Sequence, residues 1–347
     1  MMGLLAALLA SDDAALPART PGGARIQRRA PAVWEVEPPA PAAARPLLVS
    51  AGVHGDETAP VELLCRVLDA LADGTLAPGA PCLFAVGNPA ALRAGRRHLD
   101  HDLNRLFGGR HRERPAAREA ARAAALEEAV AAFCARHLGA LHLDLHSAIR
   151  ASLHPCFALH PCVDRGAPTD EALLRAAGIG AVVRTDAGGP VFSAHTARLG
   201  CESYTFELGR VRPLGAGADD GFLAAPEACV RALVAGAPLP PPPAHAAPPR
   251  RFRASREIVK RSEAFALAIP ADAPNFTPLA PGAEIARDGE VVWRAEPGEH
   301  VLFPNAGVAV GLRAAVLVVP DDPAQGASGS GTPGAGGASC QPPPSAR

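Results

Sequence analysis

The stretch LLVSAGVHGDET, residues 47–58, joins a short apolar run to a polar loop and the start of a helix. Leu47–Ala51 is apolar and is followed by Gly52, which predicts a buried strand. Residues 58–72 have Pro60 near their start and apolar residues at helical spacing, which predicts a helix. A strand, a polar loop and a helix in this order are typical of open α/β sheets, which bind ligands at the carboxyl ends of their strands.

The same alternation of strand and helix patterns extends along the chain. Short apolar runs predict further strands, and the segments with helical spacing between them predict helices. The predicted strands are residues 82–86, 141–145, 181–184 and 203–208, and the predicted helices are residues 115–139, 171–177 and 227–235. Because alternating strands and helices place helices on both faces of a mostly parallel sheet, the sequence predicts a three-layer α/β domain.

Changes in composition predict how the rest of the chain is divided. An apolar start without basic residues, followed by Asp12 and Asp13, predicts a short helix rather than a signal peptide. A proline-rich stretch predicts a linker, and the Val/Ile/Leu runs after it, broken by Pro-Gly and Asp-Gly, predict a small all-β domain. The predicted order is an N-terminal segment (1–42), a catalytic domain (43–235), a linker (236–250), a C-terminal β domain (251–320) and a disordered tail (321–347).

Charge and composition argue against several classes of function. The 347 residues include 34 basic and 35 acidic ones, a net charge of -1, so no basic field attracts nucleic acid or anionic lipid. Lys260 is the only lysine, and no phosphate-cradling P-loop motif occurs. The eight cysteines contain no C-x-x-C pair, which argues against a disulfide framework or a zinc knuckle and favours a reducing cytoplasm. No apolar run approaches the ~20 residues of a membrane span, so neither a membrane nor a nucleic acid is an expected partner.

Two polar motifs end predicted strands. His54 and Glu57 follow the first strand, and either they turn toward one centre or they are a surface histidine and a helix-capping acid. In residues 142–146, His142, Asp144 and His146 alternate with leucines, so all three side chains lie on one face of a strand. Two imidazoles and one carboxylate, from His54, Glu57 and His146, are the ligand set of catalytic zinc, which keeps one position open. Asp144 then either orients a ligand histidine or is a satisfied polar residue within the strand.

Two further polar features accompany these motifs. Glu207 lies in the apolar segment YTFELG, residues 204–209, where an unpaired carboxylate is costly to bury. It is either a general base beside a metal-bound water or a surface-facing residue of the strand. Residues 97–107, RHLDHDLNRLF, are unusually polar and contain Arg97 and Arg105. Arginines bind carboxylates and stabilise oxyanions, so this segment is either a substrate loop or a solvated loop whose charges pair internally.

Together these motifs resemble the succinylglutamate desuccinylase and aspartoacylase family of zinc-carboxypeptidase-like amidohydrolases. The segments that carry the resemblance are SAGVHGDETAPVE (50–62), GNPAAL (87–92), DLNRLF (102–107), LDLHS (143–147), FELG (206–209), LFPN (302–305) and GLR (311–313). They extend over about residues 45–320. The resemblance implies a zinc-carboxypeptidase-like catalytic domain of the α/β class with a small C-terminal all-β domain.

The resemblance also implies roles for residues of the metal site. It places one zinc ion per chain on His54, Glu57 and His146. It further implies that Glu207 is the general base and that Arg97 polarises the scissile carbonyl. The family often has asparagine at the position of residue 56, which is aspartate here, but that residue lies between the ligands and is not one of them.

For the substrate, the resemblance implies that Asn104 and Arg105 hold a carboxylate, with Arg150 and Arg198 as further candidates. The implied reaction is hydrolysis of N-succinyl-L-glutamate to succinate and L-glutamate, the last step of arginine degradation through succinyl transfer. Two alternatives stay open: an aspartoacylase or other N-acyl amino acid deacylase, and a non-catalytic binding protein stabilised by zinc. The expected partner is a small N-acyl amino acid, and the sequence indicates no oligomeric state.

Overall fold

A computed structural model of the chain describes residues 3–11, 14–40, 43–164, 168–212, 214, 221–244, 246–270 and 272–321. The predicted disordered tail lies outside these residues apart from Asp321. Within the described part of the chain, none of the helices has the length and apolar character needed to span a bilayer.

The described residues form strands and helices that alternate through the first two thirds of the chain. The strands are β1 (Arg25–Ala30), β2 (Val33–Glu37), β3 (Leu47–Ala51), β4 (Cys82–Val86), β5 (Leu141–Ala148), β6 (Cys156–Cys162), β7 (Ala181–Asp186), β8 (Glu202–Arg210), β9 (Arg250–Val259), β10 (Phe265–Leu267), β11 (Thr277–Pro278), β12 (Glu284–Asp288), β13 (Val291–Arg294), β14 (His300–Leu302) and β15 (Arg313–Pro320). The α-helices are α1 (Leu4–Ala10), α2 (Thr58–Asp73), α3 (Pro89–Arg93), α4 (Arg118–Arg136), α5 (Glu171–Ala176), α6 (Phe192–Arg198) and α7 (Ala224–Ala235), and two 3₁₀ helices span Leu103–Arg105 and Arg110–Glu113.

Twelve of the strands form one mixed sheet with the order β1-β2-β4-β3-β5-β8-β6-β7-β9-β15-β14-β11. Its centre is parallel, because β3 pairs in parallel with β4 and β5, and β5 pairs in parallel with β8. Strands β3 and β4 are mostly apolar and fully buried, as expected for strands covered on both faces, whereas β5 and all but the ends of β8 are buried but also carry polar side chains. Their carboxyl ends therefore meet at one edge of the sheet.

Helices cover both faces of this sheet and create two separate apolar cores. Leu47 and Val49 of β3 belong to one core, which also contains residues of α1, α2, α5 and α7, whereas Leu48 belongs to the core on the opposite face, which contains residues of α4 and α6. This alternation follows from the two-residue period of a strand, which points successive side chains to opposite faces. The predicted three-layer α/β architecture is thus confirmed.

Several elements differ from those expected from the sequence. The long helix predicted from residue 115 begins only at Arg118 and ends at Arg136, because Pro115 lies in a turn before it. Strands β1, β2 and β6 and helix α6 were not predicted. In β1 the sequence RIQRRA buries Ile26 alone and pairs with β2 at the sheet edge, so its own composition is too polar to indicate a strand.

The C-terminal strands continue the large sheet and also form a small separate one. Strand β9 pairs in parallel with β7 and antiparallel with β15, and β10, β12 and β13 form a three-stranded sheet. Ile258, Ile285 and Leu317 are fully buried in a third apolar core there. Strands β9 to β15 form the predicted small all-β unit. The positions of the domain boundaries stay a prediction.

Candidate active site

The polar residues singled out in the sequence converge at the carboxyl ends of the central parallel strands. His54 and Glu57 lie in the loop between β3 and α2, and Glu57 directly precedes the helix. His146 lies near the end of β5 and is the register partner of Glu207 on β8. Because β3, β5 and β8 are adjacent and parallel, their ends bring these four side chains together.

A close approach of two backbones shapes the loop that carries the first two residues. Gly55 lies so near to α3 that a Cβ atom added to it would be 2.2 Å from the backbone carbonyl carbon of Ala91. The Gly55 N–H also donates a hydrogen bond to the carbonyl oxygen of Arg97, at 3.1 Å. Only glycine fits this position, and the loop is thereby fixed between the sheet and the segment that begins at Arg97.

The metal-site cluster, defined here as His54, Glu57 and His146, is compact and buried. His54 Nδ1 lies 2.7 Å from one carboxylate oxygen of Glu57, and His146 Nδ1 lies 2.8 Å from the other. The ligand atoms of the three residues all lie within 4.8 Å of one another, and no side chain is more than 5% exposed. Two nitrogen atoms and one carboxylate that converge in this way fit a zinc ion, which takes these donors and leaves a fourth position open.

A buried chain of hydrogen bonds orients His146. Its Nε2 atom lies 3.1 Å from Asp144 Oδ2, and the other oxygen of Asp144 accepts a hydrogen bond of 2.5 Å from the Ser50 hydroxyl. Ser50 Oγ in turn lies 2.9 Å from His142 Nε2. Because Asp144 accepts the Nε2 proton, the Nδ1 atom of His146 is left to face the centre of the cluster. Of the two interpretations of Asp144, the geometry favours the orienting one.

The electric field of the cluster favours positive charge. Burial lowers the pKa of His54, but the carboxylates of Glu57 and Asp102 outweigh burial, so this pKa lies above its ordinary value. The pKa of His146 is likewise raised well above its ordinary value, against burial, by Asp144 and Glu57. Carboxylates that stabilise imidazolium cations at these positions also stabilise a metal cation placed between them. The electrostatics therefore agree with the donor set.

Glu207 stands beside this cluster in a different environment. Its side chain is buried, and burial raises its pKa to about 7, although the positive charge of His146 works in the opposite direction. A carboxyl group with a pKa near neutrality is able to accept and return a proton, as general acid-base catalysis requires. The cluster and Glu207 thus supply a cation site and a proton carrier side by side.

Arg97 reaches the metal-site cluster from the polar loop. Its Nη1 atom donates a hydrogen bond of 3.1 Å to Glu57 Oε1, and its Nη2 atom lies 2.9 Å from His54 Nε2. The side chain is 30% exposed, so the guanidinium group borders the cluster and solvent at once. This places a permanent positive charge next to the metal-site cluster.

Asn104 and Arg105 lie on the first 3₁₀ helix, and Arg105, like Arg97, contacts Asp102. The side-chain oxygen of Asn104 accepts a hydrogen bond of 2.8 Å from the Phe192 N–H, so its NH₂ group is the donor that it offers to a ligand. Arg105 Nη1 donates to the backbone oxygen of Asn104 at 2.9 Å and lies 3.9 Å from Asp102 Oδ2. Its guanidinium group is partly exposed.

The two remaining arginine candidates occupy other positions. Arg198 donates hydrogen bonds to the backbone oxygens of Ala187 and Gly189, at 3.1 Å in the second case, and so anchors the loop before α6. Arg150 lies in the turn after β5 and is half-buried. The described contacts of Arg198 therefore assign it to the loop, and a substrate contact of either arginine stays a prediction.

Two acidic residues were not singled out from the sequence. Asp102 Oδ1 lies 3.0 Å from His54 Nε2, and the pKa of Asp102 is held well below its ordinary value, against burial, by the charge of His54. Glu119, in the first turn of α4, accepts backbone hydrogen bonds from Leu99, Asp100 and His101. Asp102 is the first residue of the segment DLNRLF, so its position in a polar motif was a signal that could have identified it. Glu119 is one of several acidic residues in an Ala/Arg/Glu-rich helix, and no sequence pattern distinguishes it from the others.

An α/β sheet with a buried His-Glu-His group at the carboxyl ends of its central strands has the arrangement and the donor set of a metal-dependent hydrolase site. Residues 43–233 match the family described as "Succinylglutamate desuccinylase/Aspartoacylase catalytic domain", and residues 247–321 match the "AstE/AspA barrel-sandwich hybrid domain". The chain belongs to the succinylglutamate desuccinylase/aspartoacylase family.

Individual relatives agree with this assignment. The succinylglutamate desuccinylase of Burkholderia thailandensis is 47% identical over 282 residues, which are 79% of each chain, and that of Pseudomonas paraeruginosa is 44% identical over 280 residues, 79% of this chain and 84% of the relative. The crystal structure of the Chromobacterium violaceum succinylglutamate desuccinylase is similar with a TM-score of 0.78 and 34% identity, over 92% of this chain and 98% of that one. The corresponding Vibrio parahaemolyticus structure has a TM-score of 0.81 and 31% identity, over 92% and 95%.

Proposed function

We propose that the chain hydrolyses the amide bond of N-succinyl-L-glutamate to succinate and L-glutamate, with zinc as its metal. The observation that carries this proposal is the convergence of His54, Glu57 and His146 beside Glu207 at one edge of the sheet. Membership of the family narrows the chemistry to amide hydrolysis, and the relatives named succinylglutamate desuccinylase favour this substrate among N-acyl amino acids.

The metal would be held by the two imidazoles and the carboxylate of the metal-site cluster, one zinc ion per chain. Zinc, when bound, supplies a Lewis acid that polarises a carbonyl group and lowers the pKa of water. Asp144 and Asp102 keep the ligand rings of His146 and His54 oriented, because each places a carboxylate oxygen near the outer ring nitrogen.

Glu207 carries the proton in this proposal. It removes a proton from the attacking water and delivers it to the amide nitrogen, so that the C–N bond breaks and glutamate leaves as its free amine. A group that does both works best with a pKa near the working pH, and burial gives Glu207 a pKa of about 7.

The arginines position the substrate. Arg97 stabilises the negative charge that develops on the carbonyl oxygen, because its guanidinium group lies next to the metal-site cluster. Arg105, with the NH₂ group of Asn104, binds a substrate carboxylate through parallel N–H···O bonds, which the planar guanidinium group favours. The proposal further places the reaction in the cytoplasm, as the last step of arginine degradation through succinyl transfer.

Turnover of two substrates tests this proposal. We expect kcat/KM for N-succinyl-L-glutamate to exceed that for N-acetyl-L-aspartate by roughly 10- to 150-fold, because the succinyl group adds a carboxylate able to form a charged hydrogen bond. Dialysis against a chelator is expected to remove activity, and added zinc is expected to restore it. A preference for N-acetyl-L-aspartate would identify an aspartoacylase instead, and bound zinc without turnover of any N-acyl amino acid would identify a binding protein.

A further inference from the structure

A large cleft, here named the arginine cleft, opens beside Arg105 between the central sheet and the C-terminal strands. Its volume is about 880 Å³, and its lining includes seven arginines but only four acidic residues. Arg105 comes from the first 3₁₀ helix, whereas Arg253 and Arg313 come from β9 and β15. Neither Arg150 nor Arg198 belongs to the lining that the described residues form. An excess of positive charge in a concave site is suited to a ligand with several negative charges.

Arg313, the first residue of β15, lines the arginine cleft together with Arg105. Burial lowers the pKa of Arg105, the carboxylate of Asp102 raises it, and the positive charge of Arg313 lowers it further. Arg313 Nη1 donates a hydrogen bond of 2.9 Å to Glu257 Oε1, and its side chain is 31% exposed. It is therefore held by one carboxylate and still presents donors to the cleft, because a guanidinium group has five N–H bonds.

Arg97 contacts Glu57, Arg97 and Arg105 each lie 3.9 Å from Asp102 Oδ2, and Arg105 and Arg313 line the same cleft, so these three arginines, here named the arginine row, link the metal-site cluster to the arginine cleft. The carboxylates paired with this row are Glu57, at 3.1 Å from Arg97, Asp102, at 3.9 Å from both Arg97 and Arg105, and Glu257, at 2.9 Å from Arg313. Repulsion between the guanidinium groups is relieved when anionic groups bind between them. N-Succinyl-L-glutamate carries three carboxylates, so its charge is complementary to the row.

We propose that Arg313 is a substrate-binding residue, which holds a carboxylate distant from the scissile amide while Arg105 holds another. This inference rests on the proposed function and extends it, because it makes the C-terminal strands part of the specificity site. It predicts that the enzyme selects substrates by the number and spacing of their carboxylates. It also explains why the cleft between the catalytic sheet and the C-terminal strands is rich in arginine.

A pair of matched variants tests the role of Arg313. Arg313→Gln is expected to reduce kcat/KM for N-succinyl-L-glutamate by roughly 10- to 150-fold, mainly through KM, because one charged hydrogen-bonding contact to the bound substrate is lost. The control is Arg287→Gln, since Arg287 also belongs to the C-terminal strands and pairs with a glutamate, Glu284, at 2.8 Å, but does not line the arginine cleft. We expect the control to leave kcat/KM unchanged.

Two analogues then separate carboxylate binding from a structural effect. In one, the succinyl carboxylate is replaced by a primary amide, and in the other the side-chain carboxylate of glutamate is replaced in the same way. For one of them, Arg313→Gln is expected to cause little further loss relative to wild type, which identifies the carboxylate that Arg313 binds. A loss of the same size on all three substrates, or no loss beyond that of the control, would overturn the inference.

The activity of wild type and that of Arg313→Gln together distinguish a wrong role for Arg313 from a wrong substrate. If wild type does not hydrolyse N-succinyl-L-glutamate, both are overturned. If wild type hydrolyses it and Arg313→Gln behaves like Arg287→Gln, the inference alone is overturned. Should Arg313→Gln fail to fold, Arg313→Lys keeps the charge, and its dependence on the two analogues is expected to follow the same pattern with a smaller loss.

Discussion

Two groups of histidine and glutamate in this molecule have similar composition and different chemistry. One is the metal-site cluster, and the other, here named the edge cluster, consists of Glu35 and Glu37 on β2 and His137 just after α4. In the edge cluster His137 Nε2 lies 3.3 Å from Glu37 Oε1 and 4.0 Å from Glu35 Oε1. By residue type and distance alone, both groups are able to hold a metal ion.

The difference lies in what already neutralises the carboxylates. Glu35 accepts a hydrogen bond of 2.6 Å from Arg29 Nε and two from Arg136 Nη2, at 2.6 and 2.8 Å. Burial raises its pKa, but these arginines outweigh burial, so that the pKa of Glu35 lies below its ordinary value. Two guanidinium groups bind Glu35 at 2.6 to 2.8 Å, and a metal ion at the edge cluster would have to displace them. Glu57 accepts one guanidinium hydrogen bond, from Arg97 at 3.1 Å, and its two oxygens lie closer to His54 and His146, so a metal ion there replaces mainly imidazole protons. The comparison teaches that the neighbouring cations, more than the ligand types, define a metal site.

The strongest test of this comparison removes one histidine from each group. We expect His146→Ala to lose zinc and to lower kcat/KM by more than about 10³-fold, because a bound metal contributes several kcal/mol of charge stabilisation. His137→Ala is the matched control and is expected to keep both zinc and activity. Elemental analysis combined with kinetics measures both, and stoichiometric zinc in His146→Ala would remove this residue from the ligand set.

The next largest effect is expected from a change beside the metal-site cluster that leaves its ligands intact. Glu207→Gln is expected to keep zinc but to lower kcat by roughly 10²- to 10⁴-fold, because an amide cannot accept the proton from water. Zinc content and kcat are measured on the same preparation. A variant with nearly normal kcat would show that another group carries the proton.

A smaller effect is expected from substitution of an arginine. Arg105 near the metal-site cluster is proposed to bind a substrate carboxylate, whereas Arg136 at the edge cluster binds Glu35. Arg105→Lys is expected to lower kcat/KM by roughly 10- to 150-fold with unchanged zinc, because lysine cannot form the two parallel bonds of a guanidinium group. Arg136→Lys, in which the charge beside Glu35 is retained, is the control and is expected to leave kcat/KM unchanged. Equal activities of the two variants would exclude Arg105 from carboxylate binding.

The smallest effect is expected at the edge cluster and concerns stability. Glu35→Gln is expected to lower the free energy of unfolding by about 1 to 3 kcal/mol near neutral pH, with one zinc still bound, because charged hydrogen bonds to two arginines are lost. Since the folded-state pKa of Glu35 is lowered, its contribution is present above the unfolded pKa of about 4.3 and disappears as the pH falls through the folded value.

Denaturant unfolding of wild type and Glu35→Gln at neutral pH and at about pH 3 measures this difference. The difference in stability between the two proteins should be smaller at the lower pH, because the folded-state pKa of Glu35 is lowered. A second zinc ion per chain in wild type that is absent from Glu35→Gln would contradict the comparison itself, because it would make the edge cluster a metal site.

Much of the fold and of the metal site was predictable from local sequence. The predicted strand Leu47–Ala51 agrees with β3 residue by residue, and the predicted first helix agrees with α2 to within one residue. The predictions of the family and of an amide-hydrolysing enzyme are confirmed by the comparisons. The ligand roles of His54, Glu57 and His146 stay predictions, although the structure brings the three together.

Long-range partners were beyond the reach of the sequence. Asp102 faces His54 across a loop, and Glu119 holds the backbone of residues 99–101 from the start of α4. Strand β1 has only Ile26 to indicate burial, yet it pairs with β2 at the sheet edge. In each case the partner lies far along the chain or the strand is stabilised by backbone pairing, so no local pattern marks it.

The sequence by itself determined several of the buried strands and amphipathic helices, β3 and α2 among them, because the spacing of apolar residues is a local property with a period of 2 in strands and 3.6 in helices. It also determined which residue types are available at the strand ends. Only the tertiary structure decided that β3, β5 and β8 are neighbours, that two arginines neutralise the edge cluster, and that Arg313 shares a cleft with Arg105. These depend on strand order and on distances between residues far apart in the chain, which are set by the burial of the whole molecule rather than by any one segment.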